Sequence, residues 1–169
     1  EVFANEKGWV VRAGSARTGN GNTSATPEVL VAIGGLATAL AAATISSTEW
    51  DISEFDVSAG GTLSVTVNYN EQITVAGSPT IAVTNSQAGG GSAASLTLTK
   101  SAATANTVTF TLVVGAGGST ISADDVLSIA AQNVALAGGT ITDTVASSAA
   151  AVAISAAAGS GAGTITAVA

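Results

Sequence analysis

Three aspartates, Asp124, Asp125 and Asp143, are the first candidates for a functional site, because their carboxylates could bind a metal ion. Calcium takes several oxygen ligands, and carboxylates on loops can supply them. The spacing of the three matches no EF-hand loop, and an Asp at a turn also accepts hydrogen bonds from nearby backbone N–H groups. Two interpretations follow: the three aspartates bind calcium, or they begin and end turns. We expect no cofactor, with calcium as the one candidate ion.

A second group of acids surrounds a tryptophan. Glu49, Asp51, Glu54 and Asp56 fall within eight residues around Trp50. Such a group can dock a basic partner or bind a cation, but it is more often the solvated face of a linker. Paired carboxylates also hydrolyse glycosidic bonds. The sequence offers no aromatic-lined cleft for a sugar, so we do not expect a glycosidase.

The composition removes most other enzyme chemistry. The chain has no His and no Cys, which excludes imidazole bases, thiolate nucleophiles, disulfides and typical zinc sites. Ser and Thr are abundant, yet a Ser–Lys pair would need Lys7 or Lys100, and neither lies in a recognisable motif. No glycine-rich loop has the P-loop form with its lysine. We therefore predict that the protein is not an enzyme.

The two tryptophans, Trp9 and Trp50, are the best candidates for an interface. Large aromatic side chains concentrate binding energy at protein–protein contacts. Three of the four basic residues, Lys7, Arg12 and Arg17, lie near the first of them. We predict these five residues as interface residues, with the alternative that each tryptophan covers an end of the core.

The elements that position these residues are predicted to be β-strands. Between Thr62 and Thr84, apolar residues alternate with polar ones, and period two is typical of strands with one buried face. Strands are predicted at 62–69, 72–76, 79–84, 94–99, 106–114, 125–130 and 140–143. Short strands separated by glycine-rich turns favour an antiparallel β-sandwich.

The two ends of the chain differ from this middle region. Residues 1–60 are predicted as an extended N-terminal arm, with short strands at 8–12 and 28–33 and, as an alternative at 37–43, one or two helical turns. Residues 61–145 are predicted as the sandwich. Residues 146–169 are rich in Ala, Ser and Gly, but their apolar residues still alternate, which predicts added strands rather than a free tail.

The charge limits the partners. The net charge is -7 and the sequence pI is near 4.1, and four basic residues cannot form the cationic track that phosphate backbones require. We expect no nucleic acid partner. The apolar run 30–45 contains Gly34 and Gly35 and is shorter than a membrane span, so we also expect no membrane partner.

The predicted sandwich resembles the bacterial immunoglobulin-like repeats of large surface proteins. The residues that carry the resemblance are Val65, Val67, Tyr69, Glu71, Ile73, Val75, Gly77, Pro79 and Ile81. Later segments at 106–110, 121–129 and 138–143 are similar to the central strand, a later turn and the closing motif of the family. The family continues D-x-x-G-N, whereas Asp143 here is followed by Thr-Val-Ala. The resemblance covers about half of the chain and implies an immunoglobulin-like fold.

The N-terminal region resembles a different class. The segments 5–12 and 28–33 are similar to short structural proteins of tailed bacteriophages. Together the two resemblances imply a virion component, and we predict a capsid decoration (cement) protein on the capsid surface. Its partners would be the phage major capsid protein and further copies of itself. The alternatives are a phage tail-tube or fibre subunit, or an extracellular adhesin or filament subunit of a bacterial or archaeal surface.

Overall fold

The computed structural model describes residues 1–5, 8–19, 21–32, 42–117 and 120–169. The chain forms two compact units, Glu1–Leu40 and Ala41–Ala169. Most of the predicted helical turn at 37–43 lies outside the described residues.

The first unit contains a three-stranded antiparallel sheet. Its strands are β1 (Val2–Asn5), β2 (Gly8–Val11) and β3 (Glu28–Ala32), in the order β1-β2-β3. The central strand supplies two fully buried side chains, Val10 and Val11. The predicted strands at 8–12 and 28–33 are confirmed, and β1 was not predicted because its four residues show no clear alternation. The predicted N-terminal arm thus begins as a folded sheet.

The second unit contains twelve strands and one helix within its described residues. They are β4 (Ile45–Trp50), β5 (Phe55–Asp56), β6 (Gly61–Tyr69), β7 (Ile73–Ala76), β8 (Thr80–Asn85), β9 (Ser95–Ala103), β10 (Thr107–Val114), β11 (Val126–Ser128), β12 (Gln132–Asn133), β13 (Thr140–Asp143), β14 (Ala153–Ile154), α1 (Ala156–Gly161) and β15 (Thr164–Val168).

These strands form one large sheet and two small ones. The eight-stranded sheet has the order β4-β6-β10-β9-β8-β11-β15-β5, and the pairs β12-β14 and β13-β7 form two-stranded sheets. The described pairs are antiparallel apart from β15 with β5. The predicted class, an all-β antiparallel sandwich, is confirmed.

The core follows from the alternation in the sequence. On β6 the odd positions Leu63, Val65, Val67 and Tyr69 are buried, and the even positions between them are only partly covered. Phe110 on the neighbouring β10 is fully buried and lies opposite Val65. Period-two burial is what a strand with one face in a core requires.

The boundary predicted at residue 60 is corrected to residue 40. The strand β4 pairs with β6, and β5 pairs with β15, so both belong to the second unit. The pattern of β4 hid this role, because its one buried side chain is polar: Thr48 is 3 % exposed and donates to the carbonyl of Ala158 at 2.7 Å. A buried hydroxyl is tolerated when it has such a partner.

The C-terminal segment adds strands, as predicted. The strand β15 pairs with β11 and buries Ile165 and Ala167. The helix α1 was not predicted. It begins after Ser155, whose hydroxyl accepts a hydrogen bond from the N–H of Ala158 at 3.1 Å, the usual geometry of an N-cap.

Candidate interaction surface

Asp125 is a buried carboxylate that holds two loops together. It is fully buried, and its Oδ2 accepts from the Ser122 N–H and from Asn85 Nδ2, both at 2.9 Å. Its Oδ1 accepts from the Gly89 N–H at 2.8 Å. Burial by itself would raise the pKa of Asp125, but hydrogen bonds from Ser122, Asn85, Gly89 and Gly91 together lower it below its ordinary value.

Asp143 does the same at the other predicted turn. Its Oδ1 accepts from the N–H groups of Val145 at 2.8 Å and Ala146 at 2.7 Å. Its Oδ2 accepts from the Ala43 N–H at 2.9 Å, across a hundred positions of sequence. The hydrogen bond from Ala146 is the main cause that lowers the pKa of Asp143. Asp143 thus ties the start of the second unit to the end of β13.

The three predicted aspartates do not form a ligand group. Asp124 is exposed and has a left-handed backbone (φ 70°), while Asp125 and Asp143 point their oxygens at separate sets of N–H donors. Within the described ranges, no group of three or more Asp or Glu side chains is placed to hold a metal ion. The turn interpretation explains the contacts of Asp125 and Asp143.

The four acids around Trp50 lie exposed on the edge strands β4 and β5 and the loop between them. Asp51 Oδ2 accepts from the hydroxyls of Ser64 at 2.5 Å and Thr66 at 3.1 Å. Glu49 accepts from Asn68 Nδ2 at 3.2 Å. Charged side chains on an edge strand discourage pairing with another sheet.

Asp56 is held in a local turn. Its Oδ1 accepts from the Ser58 hydroxyl at 2.7 Å and from the N–H groups of Ser58 and Ala59. The hydrogen bond from the Ser58 side chain is the main cause that lowers the pKa of Asp56. This acid therefore closes a turn after β5.

Trp50 contributes to the core, and the exposed part of its side chain leaves its prediction as an interface residue untested. Its side chain is partly buried and packs against the core cluster, and its indole Nε1 is buried without a hydrogen-bond partner among the described residues. The Tyr69 hydroxyl is buried in the same way, and burial raises the pKa of Tyr69 to about 12. These are packing residues, in line with the alternative that a tryptophan covers the core.

Trp9 is different, because it lies on an apolar surface of the first unit. Of the nine exposed large hydrophobic residues described, six belong to this unit. We use the name N-terminal apolar surface for all six, which lie on both faces of the sheet because neighbours on a strand point to opposite sides: Val2, Phe3, Trp9, Val29, Leu30 and Val31. Trp9 is 49 % exposed and pairs across the ladder with Val31, which is 54 % exposed. Exposed apolar side chains gathered on one small sheet are a candidate interaction site.

Of the three basic residues predicted at the interface, the structure describes two, Arg12 and Arg17. Arg17 forms an exposed ion pair with Glu1, with Nε 3.3 Å from Oε2, and exposed pairs of this kind contribute little stability. Arg12 is exposed and follows β2 directly. Lys7 lies outside the described residues.

The charges are distributed unequally between the two units. Residues 1–40 contain three acids and three bases, a net charge of zero. Residues 41–169 contain eight acids and Lys100, a net charge of -7.

The sequence pointed to Trp9 but not to β3 as part of the N-terminal apolar surface. The available signal was the run Val-Leu-Val-Ala at 29–32, in which no polar residue alternates with the apolar ones.

Comparison with known proteins assigns the chain to no family. No family model matches the chain, and no curated protein and no solved structure matches it. In the part of the chain that the structure describes, no helix is long and apolar enough to span a membrane.

Proposed function

We propose that this protein is a non-enzymatic structural component of a virion, a capsid decoration (cement) protein. The first unit would bind the assembled shell of major capsid protein, and the second unit would be displayed. The observation that carries the proposal is the N-terminal apolar surface, which holds six of the nine exposed large hydrophobic residues described.

The first unit has the properties of an attachment module. Its sheet offers exposed aromatic and aliphatic side chains together with open strand edges, and an extended strand of a partner can add to such an edge. A protein that binds only the assembled shell stabilises it by mass action. Many copies on one lattice add to this effect through multivalency.

The second unit has the properties of a displayed module. Its net charge of -7 keeps it hydrated. The edge strands β4 and β5 of its large sheet carry exposed acids that oppose strand addition. The buried carboxylates Asp125 and Asp143 accept hydrogen bonds from backbone N–H groups and so stabilise turns. These features favour a rigid, non-reactive domain.

Shell binding tests the proposal. Empty capsid shells of a tailed phage are sedimented with the wild-type chain, with each of the single variants Trp9→Ala and Val31→Ser, and with the control variant Val113→Ser. Val113 is 78 % exposed but lies in the second unit. We expect binding to fall about tenfold or more in the first two variants and to stay unchanged in the control. Decorated shells should also survive heat or urea better than bare shells.

Equal survival of bare and decorated shells would remove the cementing role. Equal binding by all variants would remove the N-terminal apolar surface as the attachment site.

The open edges of the first sheet also favour a second candidate, a tail-tube or fibre subunit. The strands β1 and β3 are both edge strands of the same sheet, and head-to-tail pairing of unlike edges generates rings or filaments. A tail-tube or fibre subunit should form such assemblies without a shell. A decoration protein should not, and electron microscopy of the purified chain separates the two.

A further inference from the structure

We propose that the protein forms a two-fold symmetric dimer in which β3 pairs antiparallel with β3 of a second copy. The three-stranded sheets of the two copies would then join into one sheet of six strands. This inference does not rest on the proposed function, because the pairing needs no shell.

From Val29 onward, the free edge of β3 lacks the charges carried by the two edge strands of the eight-stranded sheet. The edge strand β4 carries the exposed Glu49, and the edge strand β5 carries the exposed Asp56. The edge strand β1 has no charged residue of its own, and Glu1 directly before it pairs with Arg17. From Val29 to Ala32, β3 has no charge and no proline. An exposed apolar edge of this kind pairs with another strand.

The side chains of β3 are themselves uncovered. Val29, Leu30 and Val31 are 42 %, 53 % and 54 % exposed. Within the described ranges, β3 has β2 as its one neighbour in the sheet. A bulge opposite Trp9 and Val10 leaves Leu30 without a partner residue on β2. A bulge can twist an edge away from partners, but this one presents a leucine rather than a charge.

A second copy fits this edge by its sequence. In an antiparallel pair centred on Leu30, Leu30 faces Leu30 of the second copy and Val29 faces Val31. Glu28, the one charged residue of the strand, then faces Ala32, so that no like charges meet. Opposed like charges would destabilise a ladder, whereas opposed β-branched residues support it.

The charge distribution favours the same occupant. Two first units meet without net repulsion, since each has a net charge of zero. The second unit has a net charge of -7, and the two edges of its large sheet carry exposed acids on β4 and β5. Homo-oligomers are most often two-fold dimers, in which the same patch is used by both copies.

Light scattering coupled to size exclusion, over a concentration series and without shells, tests the dimer. We expect the wild-type mass to rise to twice 16.0 kDa and to stop there. A monomer at every concentration would overturn the proposal. Species that keep growing beyond the dimer would also overturn it, because they indicate pairing of β1 with β3.

Charge swapping at Leu30 tests the register. Leu30→Lys and Leu30→Glu each place like charges on the two-fold axis, and we expect the dimer dissociation constant to rise about tenfold or more for each variant alone. Mixing the two variants, one of them carrying an affinity tag, should restore dimers. The control Val113→Lys adds the same charge at an exposed valine of the second unit and should leave dimerisation unchanged.

Failure of the mixture to restore dimers would overturn the pairing centred on Leu30, as would an equal loss in the control. If the Leu30 variants fail to fold, backbone hydrogen exchange of the wild type decides. Amide protection at Val29–Val31 should increase with protein concentration, and protection independent of concentration would overturn the proposal. Shell binding is measured separately, so loss of the dimer and loss of the proposed function are distinguishable.

Discussion

The side chain of Gln132 takes the place of a strand beside Ala82. The Ala82 N–H donates to Gln132 Oε1 at 2.7 Å, and Gln132 Nε2 donates to the Ala82 carbonyl at 2.7 Å. Two residues earlier on β8, Thr80 forms an ordinary antiparallel bridge with Ala135. The primary amide thus continues the ladder where the backbone has turned away, and both backbone groups of Ala82 remain paired.

Replacing this amide by a carboxylate should destabilise the fold in a pH-dependent way. In Gln132→Glu the charged side chain still accepts from Ala82 but can no longer donate, so the Ala82 carbonyl faces a negative oxygen. We expect a loss of about 1–2 kcal/mol in the free energy of unfolding at pH 7. The difference from wild type should narrow below about pH 4, where a Glu side chain protonates and donates again.

Urea unfolding of the variant and the wild type at the two pH values measures this difference. Gln72→Glu is the matched control, because it adds the same charge at an exposed position. A Gln132→Glu difference that is the same at both pH values would show that the carbonyl contact does not matter.

Acid should weaken the second unit through Asp125 and Asp143. Both have a folded pKa below the ordinary value of 3.8, because N–H donors stabilise the charged form. Their contribution is therefore fully present above pH 3.8 and is lost as the pH falls through the lower folded pKa. We expect the urea midpoint to stay level from pH 7 to about pH 5 and to fall below about pH 4.

Asparagine variants show whether Asp125 and Asp143 cause the loss of stability in acid. Asp125→Asn should lower the melting temperature at pH 7 by about 5 °C or more, because an amide NH₂ cannot accept from the donors around it, and its midpoint should fall less steeply in acid. The control is Asp124→Asn, at the exposed neighbouring residue whose left-handed backbone Asn also tolerates. An acid loss that is unchanged in Asp125→Asn and in Asp143→Asn would contradict this assignment.

Gly89 should be intolerant of even a methyl group. A Cβ at this position would collide with the carbonyl oxygen of Ala123, in the loop that Asp125 holds. We expect Gly89→Ala to destabilise the fold by about 1–3 kcal/mol, since the backbone must move. In Gly115→Ala the Cβ meets open space, so thermal unfolding should be almost unchanged. Equal melting temperatures for the two variants would contradict the close approach.

The strands of the second unit were predictable because their burial obeys a period of two. The alternation on β6 and its continuation through β7 and β8 placed these strands to within a residue or two. The strand β4 was less visible, because its buried Thr48 reads as polar until its acceptor, the carbonyl of Ala158, is known. Contacts between residues far apart in sequence leave no local pattern.

The candidate site was predictable in part for the same reason. Trp9 was identified by residue type, but exposure separates it from Trp50, and exposure depends on what packs over each ring. The aspartates were identified as turn residues or calcium ligands, and only the directions of the N–H groups around Asp125 and Asp143 separate these roles. Residue type names the chemistry available, and the fold decides which is used.

Calcium should leave the stability of the protein unchanged. The carboxylate oxygens of Asp125 and Asp143 already accept N–H donors at 2.7–2.9 Å, and a cation would have to displace these donors, which point positive charge at the oxygens. We expect the same melting temperature in excess chelator and in excess calcium. An ion that bound the folded state would raise the melting temperature in calcium. A rise in calcium that disappears in Asp125→Asn or Asp143→Asn would instead establish a metal site at that aspartate, and a rise that persists in both variants would place the ion elsewhere.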